Sequence, residues 1–260
     1  MPIGCVFVKP DFRPRNTTPT EQPKQAEQAM AMSEGPIENA REAYEAAMGS
    51  RIERKGITLG PWTSDSLVDD PKHLAFVMAR YKFCAKMLAG KESVLEVGCG
   101  DAFGLPLVAQ EVGRVHAIDW DPRQLESNAA RLSHLQNVDY LLHDLNESAP
   151  EVQVDAAYSV DVIEHLEAAS EARFMENLIA CLKPGGVLIT GTPNITAAAY
   201  ASPQSNIHHI NLKSFAGLRD LMESYFDNVF MFGMNDEVLH TGFGPMSHYL
   251  WSIAVGPKAR

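Results

Sequence analysis

One segment constrains the fold of this chain more than any other: a buried strand that runs into a loop of spaced glycines. The letters VLEVGCGDAFG occupy residues 94–104, where an apolar run ends at Val97 and glycines follow at 98, 100 and 104. Glycine lets the backbone turn sharply and approach a ligand without a Cβ clash. A helix that begins behind such a loop adds free N–H groups for an anionic ligand group. The segment therefore predicts an α/β fold with a ligand site at the end of its first strand.

The spacing of the glycines argues against a dinucleotide site. The dinucleotide fingerprint is G-x-G-x-x-G, but Phe103 stands where its third glycine belongs. Acidic residues indicate a different ligand. Asp119 ends the second predicted strand and could accept hydrogen bonds from two ribose hydroxyls, and Asp144 ends the third and could accept from an adenine amine. Glu96 lies inside the first strand, where a buried carboxylate needs a partner such as a ligand ammonium or the amides of the loop.

Strands and helices alternate after residue 93. The predicted helices cover about 103–113, 122–134, 168–182 and 212–225, and the predicted strands are SVLEVGC, VHAID, VDYLLHD, VDAAYSVD, GVLITGTP, NVFMFGM and LWSIAVG. Strands separated by helices pair in parallel through right-handed crossovers. The last two strands have no helix between them, so we expect them to pair antiparallel. The pattern predicts a seven-stranded, doubly wound α/β sheet.

The first 36 residues differ in composition from the rest of the chain. Residues 1–36 hold six of the 16 prolines and equal numbers of acidic and basic residues, which predicts a disordered tail. Whether residues 1–30 belong to the mature protein stays open. Residues 37–90 predict a helical cap with one helix over Pro36–Met48 and another that starts at Pro71, with Asp70 as its N-cap, and stops at Gly90. Residues 91–260 form the third predicted region, a domain that holds the alternating strands and helices.

Charge and cysteine content exclude several classes of protein. The formal net charge of −11 argues against nucleic acid as a partner. No run of 18 apolar residues exists, so we expect no membrane partner, and the first residues do not read as a signal peptide. Four dispersed cysteines argue against a disulfide framework or a cysteine zinc site, and a reducing cytoplasm is the expected location.

Taken together, these motifs resemble those of class I S-adenosylmethionine-dependent methyltransferases. The matching segments are VLEVGCGDAFG, AIDWDP, HDLNE, SVDVIEHL, LKPGGVLITGTPN and the closing pair of strands, within about residues 70–256. The resemblance implies a Rossmann-like sheet of order 3-2-1-4-5-7-6, with strand 7 antiparallel, and S-adenosyl-L-methionine as cofactor. It implies that Glu96 and the loop residues Gly98, Cys99 and Gly100 hold the methionine moiety, that Asp119 takes the ribose with Trp120 beside the adenine, that Asp144 and Leu145 flank the adenine, and that Asp161 closes the site.

Simpler roles remain open for several of these residues. Asp119 could only cap the helix at Pro122, Asp144 could form a turn with Asn146, and Trp120 could be ordinary packing. Trp62, Arg80 and Tyr81 could line the site, but core or surface packing is the simpler interpretation. The segment HTGFGPMSHYLW, residues 240–251, could be a lid or a surface excursion.

Methyl transfer to a hydroxyl needs a group that removes a proton. His208 and His209 follow the fifth strand, and the pKa of histidine suits a general base, so we predict them as the catalytic residues and predict no metal. In an alternative, Glu164, His165 and one of these histidines bind a divalent metal, as in small-RNA 3′-end methyltransferases that resemble this stretch. Two histidines and a carboxylate would suit a transition metal. A third interpretation is that these side chains only bond backbone groups.

The predicted function is O-methylation of a small molecule or a glycan precursor by an S-adenosylmethionine-dependent methyltransferase. The alternatives are a metal-assisted RNA 3′-end 2′-O-methyltransferase and a cofactor-binding regulator without catalysis. The acceptor, the atom that is methylated and the oligomeric state stay open, because methyltransferases share the cofactor half and differ in the rest.

Overall fold

A computed structural model describes residues 39–52 and 56–258 of the 260-residue chain. The predicted tail, residues 1–36, lies outside the described residues. The chain divides into a first unit that ends at Gly56 and a second unit, Ile57–Arg260. Every residue of the predicted cofactor site belongs to the second unit.

Helix α1, Ala40–Ile52, belongs to the first unit. The Asn39 side-chain oxygen accepts hydrogen bonds from the N–H groups of Arg41 and Glu42, so it caps the first turn. Arg41 and Glu45 form an exposed ion pair one turn apart at 2.8 Å. Such surface pairs contribute little stability. The described helix lies four residues further along the chain than the Pro36–Met48 helix predicted from the sequence.

The strands of the second unit form one mixed sheet of order β3-β2-β1-β4-β5-β8-β6-β7. The first five strands pair in parallel, and β8 lies antiparallel between β5 and β6. The bounds are β1 Ser93–Val97, β2 Arg114–Asp119, β3 Val138–Leu142, β4 Val154–Val160, β5 Leu182–Pro193, β6 Phe226–Asn235, β7 Val238–His240 and β8 Tyr249–Pro257.

The predicted strand order is confirmed, with β8 in the place of strand 7. The predicted number of strands was wrong by one in the described part of the chain. The additional strand is β7, three residues that pair antiparallel with the end of β6 at the edge of the sheet. Three residues are too few to show an alternating pattern, so the sequence carried no signal for it.

The helices of the second unit cover the two faces of this sheet. They are α2 Pro61–Asp69, α3 Pro71–Leu88, α4 Leu105–Ala109, α5 Pro122–Arg131, α6 Glu171–Ala180, α7 Pro203–His208 and α8 Phe215–Tyr225. Among the described helices, none is both long enough and apolar enough to cross a bilayer.

Local sequence explains where these helices begin. The Asp121 side chain caps α5 by accepting from the N–H of Arg123 at 3.0 Å. Pro71 opens α3 and Asp70 is its N-cap residue as predicted, although the Asp70 side chain makes no capping hydrogen bond. Helix α4 is also shorter than predicted. The N–H of Glu111 bonds back only three residues, to Val108, which tightens the chain out of the α-helix soon after Ala109.

The core lies in two layers because neighbouring residues of a strand point to opposite faces of the sheet. Val94 packs on one face with α3, α4 and α5, and Leu95 packs on the other face with α6 and α8. Helices α2 and α3 therefore belong to the same compact unit as the sheet. Three cysteines are buried free thiols, Cys84, Cys99 and Cys181.

Candidate cofactor and acceptor site

The glycine loop leaves the sheet at the carboxyl end of β1, as the sequence predicts. Gly98 and Gly100 have positive φ angles of 68° and 50°, which disfavour any residue with a Cβ. A Cβ on Gly98 would also lie 2.6 Å from a methyl group of Val162. The N–H groups of Gly98 and Cys99 both donate to the carbonyl of Ile118 at 3.0 Å. The loop is therefore fixed between the ends of β2 and β4.

Asp119 connects the end of β2 to this loop. One carboxylate oxygen accepts from the N–H of Gly100 and the other from the N–H of Asp121, both at 2.9 Å. Each oxygen still has lone-pair capacity for a further donor. The sequence predicted a carboxylate here for ribose but did not predict that it also holds the loop. Asp119 is mostly buried, so these bonds carry more weight than they would at the surface.

Three predicted adenine residues follow β2 and β3. Trp120 is 69% exposed, so the packing alternative for this ring is wrong. Asp144 accepts from the N–H of Asn146 at 2.8 Å, which is the turn role that the sequence left open, and its remaining oxygen is not used in that bond. The Leu145 side chain is buried in the core. Of these three residues, Trp120 and Asp144 have side chains that can reach a ligand.

Glu96 is a buried carboxyl group without adequate compensation. It is 1% exposed, and neither oxygen has a well-aligned hydrogen bond. Burial raises its pKa to about 8, and the hydroxyl groups of Tyr158 and Tyr81 offset that rise only in part. The sequence predicted that this carboxylate would need a partner. An ammonium group is the partner that would allow it to ionise.

Asp161 and Arg80 form an ion pair at the end of β4. Asp161 adopts a positive φ of 56°, and one of its oxygens accepts from Arg80 at 2.8 Å. The Arg80 guanidinium also stacks on the Tyr249 ring, 3.9 Å from its centre. Arg80 lies on α3, so this contact fixes α3 against the strand ends. Arg80 is thus packed in the core against Tyr249 and also paired with a residue of the predicted cofactor site.

Glu164, His165 and His209 come together beside this pair. One potential ligand atom from each residue lies within 4.8 Å of the others, an arrangement that could hold a metal ion. Glu164 is fully buried. One of its oxygens accepts from Thr192 at 2.9 Å and the other has no partner among the described residues. Burial and the nearby Asp161 raise its pKa to about 8.

Of the two predicted catalytic histidines, only His209 joins this cluster. Its ring lies 5.0 Å from the His165 ring, and burial, followed by His165, lowers its pKa. His208 is exposed, and it contributes its backbone carbonyl, 3.1 Å from the His165 ring. His208 ends helix α7 and His209 follows it, so the helix geometry sends the two side chains in different directions. The structure thus distinguishes the roles of His208 and His209, which the sequence alone could not do.

These positions match a known family. Residues 94–186 match the family model described as a methyltransferase domain. The chain carries a class I S-adenosylmethionine-dependent methyltransferase domain. Its cofactor is S-adenosyl-L-methionine.

Curated relatives agree with this assignment. A probable S-adenosylmethionine-dependent methyltransferase of Mycolicibacterium smegmatis is 34% identical over 146 residues, 55% of this chain and 54% of the relative. A ubiquinone biosynthesis O-methyltransferase of Rickettsia bellii is 30% identical over 132 residues, 50% of this chain and 54% of the relative. The chain spans about half the length of the curated relatives that it matches.

Solved structures share the fold of the methyltransferase domain. The N-methyltransferase NodS of Bradyrhizobium japonicum in complex with S-adenosylhomocysteine has a TM-score of 0.55 at 15% identity, covering 82% of this chain and 97% of NodS. The methyltransferase domain of bacterial CtHen1-C has a TM-score of 0.58 at 20% identity, covering 71% of this chain and all of that domain.

The residues of this methyltransferase domain suit the cofactor chemically. The unpaired Glu96 carboxyl would gain a partner from the ammonium of the methionine moiety. The positive-φ glycines leave the loop backbone bare, and Asp119 retains lone pairs for hydroxyl donors. Acids at the carboxyl ends of three neighbouring strands thus complement a cationic, hydroxyl-bearing ligand.

The sequence placed Arg80 only among possible wall residues and included His165 only in the metal alternative. The signal for Arg80 was its place beside the apolar stripe of α3, three residues after Val77 and four before Cys84, where a charged side chain needs a partner. Trp62 is 66% exposed on α2, and His240 accepts from the N–H of Gly242 within its own loop. Neither belongs to the Glu164 cluster.

Proposed function

We propose that the protein methylates an oxygen of a small acceptor molecule. The observation that carries this proposal is the position of His209 beside the cofactor loop. Val162 lies against Gly98, and Glu164, two residues further, is in the cluster with His209. A proton acceptor therefore stands next to the place where the loop would hold the cofactor.

His209 suits the role of general base. Its lowered pKa leaves the imidazole neutral at physiological pH, so it can accept the proton of an acceptor hydroxyl. When bound, S-adenosylmethionine supplies an electrophilic methyl group on its sulfonium. The Arg80–Asp161 ion pair lies near enough to His209 to affect its pKa, and it would help to hold the acceptor in line. Cofactor loop and base together make the chain an enzyme rather than a cofactor-binding regulator.

Two further observations support the acceptor class. The ubiquinone biosynthesis relatives are O-methyltransferases by name, whereas NodS is an N-methyltransferase and resembles this chain in fold alone. Large apolar side chains are exposed on the contacting segments 195–200 and 243–246, which adjoin the end of β5. They are Ile195, Tyr200, Phe243 and Met246. Such a rim favours an apolar small molecule over a glycan precursor.

Labelled S-adenosylmethionine tests this proposal with a small-molecule extract. We expect wild-type protein to transfer label to the small-molecule fraction and His209→Gln to be slower by roughly 10²- to 10⁴-fold, the usual contribution of a general base. Binding of S-adenosylhomocysteine should not change, because His209 is not in the cofactor loop. His240→Gln is the matched control and should keep full activity. An unaffected rate in His209→Gln would rule out this base, and cofactor binding without any labelled acceptor would favour the regulator.

The Glu164 cluster supports a second candidate, metal-assisted methylation at an RNA 3′ end. Two imidazoles and a carboxylate with an unpartnered oxygen form a donor set for a transition metal. The charge of the chain argues against RNA. Two cations beside the cluster, Arg80 and Lys213, already pair with Asp161 and Glu171 and are not free for phosphates.

A further inference from the structure

Two side chains of helix α5 donate hydrogen bonds to backbone carbonyls of the glycine loop. Asn128 is fully buried, and its amide nitrogen donates to the carbonyl of Gly100 at 2.7 Å. Its amide oxygen accepts from Arg131, and the same guanidinium nitrogen of Arg131 donates to the carbonyl of Asp101 at 2.7 Å. Two consecutive loop carbonyls are thus held by one connected pair of side chains.

The loop needs such support because it passes through left-handed conformations, one of them at a residue with a Cβ. Gly100 has a φ of 50°, and Ala102 has a φ of 54° although it carries a Cβ. Left-handed conformations of residues other than glycine persist only where neighbouring groups enforce them. Asp119 holds the N–H of Gly100, and the N–H of Ala102 donates to Cys99 at 2.8 Å. Asn128 and Arg131 fix the two carbonyls that lie between these bonds.

Peptide geometry then decides where the Asp101 amide points. Every described peptide bond is trans, so the carbonyl of Gly100 and the N–H of Asp101 point in opposite directions. Since Asn128 draws that carbonyl toward α5, the N–H of Asp101 points away from α5. Among the described residues this N–H has no acceptor, although Asp101 is only 8% exposed. A buried, free N–H is a strong donor for an anionic ligand group.

The Asp101 side chain is engaged elsewhere. Its carboxylate accepts from the N–H of Thr63 at 2.8 Å, at the start of helix α2, and it packs against Gly60. A carboxylate held there satisfies the helix terminus. The Asp101 carboxylate therefore serves the start of α2 and makes no hydrogen bond within the glycine loop among the described residues.

We propose that Asn128 and Arg131 are positioning residues, which aim the Asp101 N–H at the carboxylate of the cofactor's methionine moiety. This inference rests on the cofactor part of the proposed function and not on the acceptor. Asn128 acts on the ligand only through the peptide between Gly100 and Asp101. Its contribution should therefore be confined to ligands that carry the carboxylate.

Calorimetry with two ligands tests this inference on the full-length protein. One ligand is S-adenosylhomocysteine and the other is its decarboxylated analogue, which keeps the adenosine and the ammonium. We expect Asn128→Leu to lower the affinity for S-adenosylhomocysteine by about tenfold or more, the usual effect of losing a hydrogen bond to a charged group. The analogue should bind the variant as it binds wild type. A purely structural role would weaken both ligands alike and would overturn the proposal.

Asn137→Leu is the matched control. Asn137 also uses its amide nitrogen to hold backbone carbonyls, those of Ala109 and Val112, but away from the loop. It should leave the ratio of the two affinities unchanged. If Asn128→Leu does not fold, Arg131→Met tests the same pair. It should lower the affinity for S-adenosylhomocysteine relative to the affinity for the decarboxylated analogue. Failure of wild-type protein to bind either ligand would count against the proposed function, whereas binding with an unchanged ratio in both variants would count only against this inference.

Discussion

Glu96 and Glu164 differ from the other acids of the site in how burial is compensated. Asp119 accepts hydrogen bonds from two backbone N–H groups, and Asp161 forms an ion pair with the Arg80 guanidinium. Glu96 and Glu164 are buried without equivalent donors, and burial raises the pKa of each to about 8. The raised pKa values favour the protonated form of both side chains at neutral pH.

Glu96 should make stability depend on pH. Between its ordinary pKa of 4.5 and about 8, the folded protein holds a proton on Glu96 that the unfolded chain has lost. The free energy of unfolding therefore falls as pH rises through this window. Glu96→Gln has no carboxyl at this position to titrate. The free energy of unfolding of the variant, relative to that of wild type, should therefore rise by at least about 1 kcal/mol from about pH 5 to about pH 8. Urea unfolding at both pH values measures the gain.

Glu126→Gln is the control for this experiment because Glu126 is an exposed residue of α5. Its free energy of unfolding should follow that of wild type at both pH values. Glu164 is present in all three proteins, so its own titration cancels in the comparison. A Glu96→Gln variant that loses stability in parallel with wild type would show that Glu96 is already ionised in the folded protein.

The sequence predicts the positions of site residues that lie at strand ends better than those of residues that other elements bring to the site. Asp119 and Asp144 could be placed because each lies at or near the carboxyl end of a strand, the edge of the sheet that faces the ligand. The partner of Asp161 could not be placed, because Arg80 comes from a helix 81 residues earlier and only packing brings it to the strand. The sequence also could not predict which of His208 and His209 enters the site. They are adjacent residues at the end of α7, and their side chains point in different directions.

At the scale of elements, close packing of α4 against α3 depends on Gly104. A Cβ at this position would overlap the ring of Tyr81. Tyr81 in turn lies near Glu96 and is almost fully buried. The third glycine of the loop motif is therefore needed for the approach of two helices, not for a left-handed turn, since positive φ angles occur at Gly98 and Gly100.

Gly104→Ala should destabilise the protein by about 1–3 kcal/mol, because an added methyl in a packed core forces neighbours to move. We also expect weaker binding of S-adenosylhomocysteine, since displacement of Tyr81 changes the surroundings of Glu96. Chemical unfolding and calorimetry measure the two effects. Gly217→Ala on α8 is the comparison, where an added Cβ would meet only the Ser214 hydroxyl at 3.2 Å. That variant should change stability by less than about 1 kcal/mol. Equal effects in the two variants would contradict the packing role of Gly104.

Alternation of strand and helix predicted most of the elements and their order. The pattern does not predict an element that is very short, or the end of an element that local sequence does not mark. Strand β7 has three residues, and α4 stops after Ala109, although the sequence contains no proline or glycine from Leu107 to Val112 that would predict an end there. The antiparallel β8 was predictable because LWSIAVG follows a strand without an intervening helix, which leaves antiparallel pairing as the short connection.

At the scale of the whole molecule, the acid excess bears on the choice between a small acceptor and RNA. A net charge of −11 repels polyanions over distances of about 10 Å at ordinary salt. Cations beside the Glu164 cluster are already paired, so the local surface does not reverse the average. A metal ion at the cluster would add positive charge at one point only. The small acceptor therefore remains the better fit to the charge of the molecule.

A fluorescently labelled single-stranded RNA with a free 3′ end tests this choice. We expect no change in anisotropy with wild-type protein from about 200 mM down to about 50 mM salt, with Mn²⁺ or with a chelator, since binding through phosphates would strengthen steeply over that range. Labelling of a small acceptor should proceed in the same preparations. Glu164→Gln is the informative variant because it alters the donor set without changing His209. Salt-sensitive RNA binding that needs Mn²⁺ and is lost in Glu164→Gln would establish the metal-assisted RNA enzyme in place of the small-molecule enzyme.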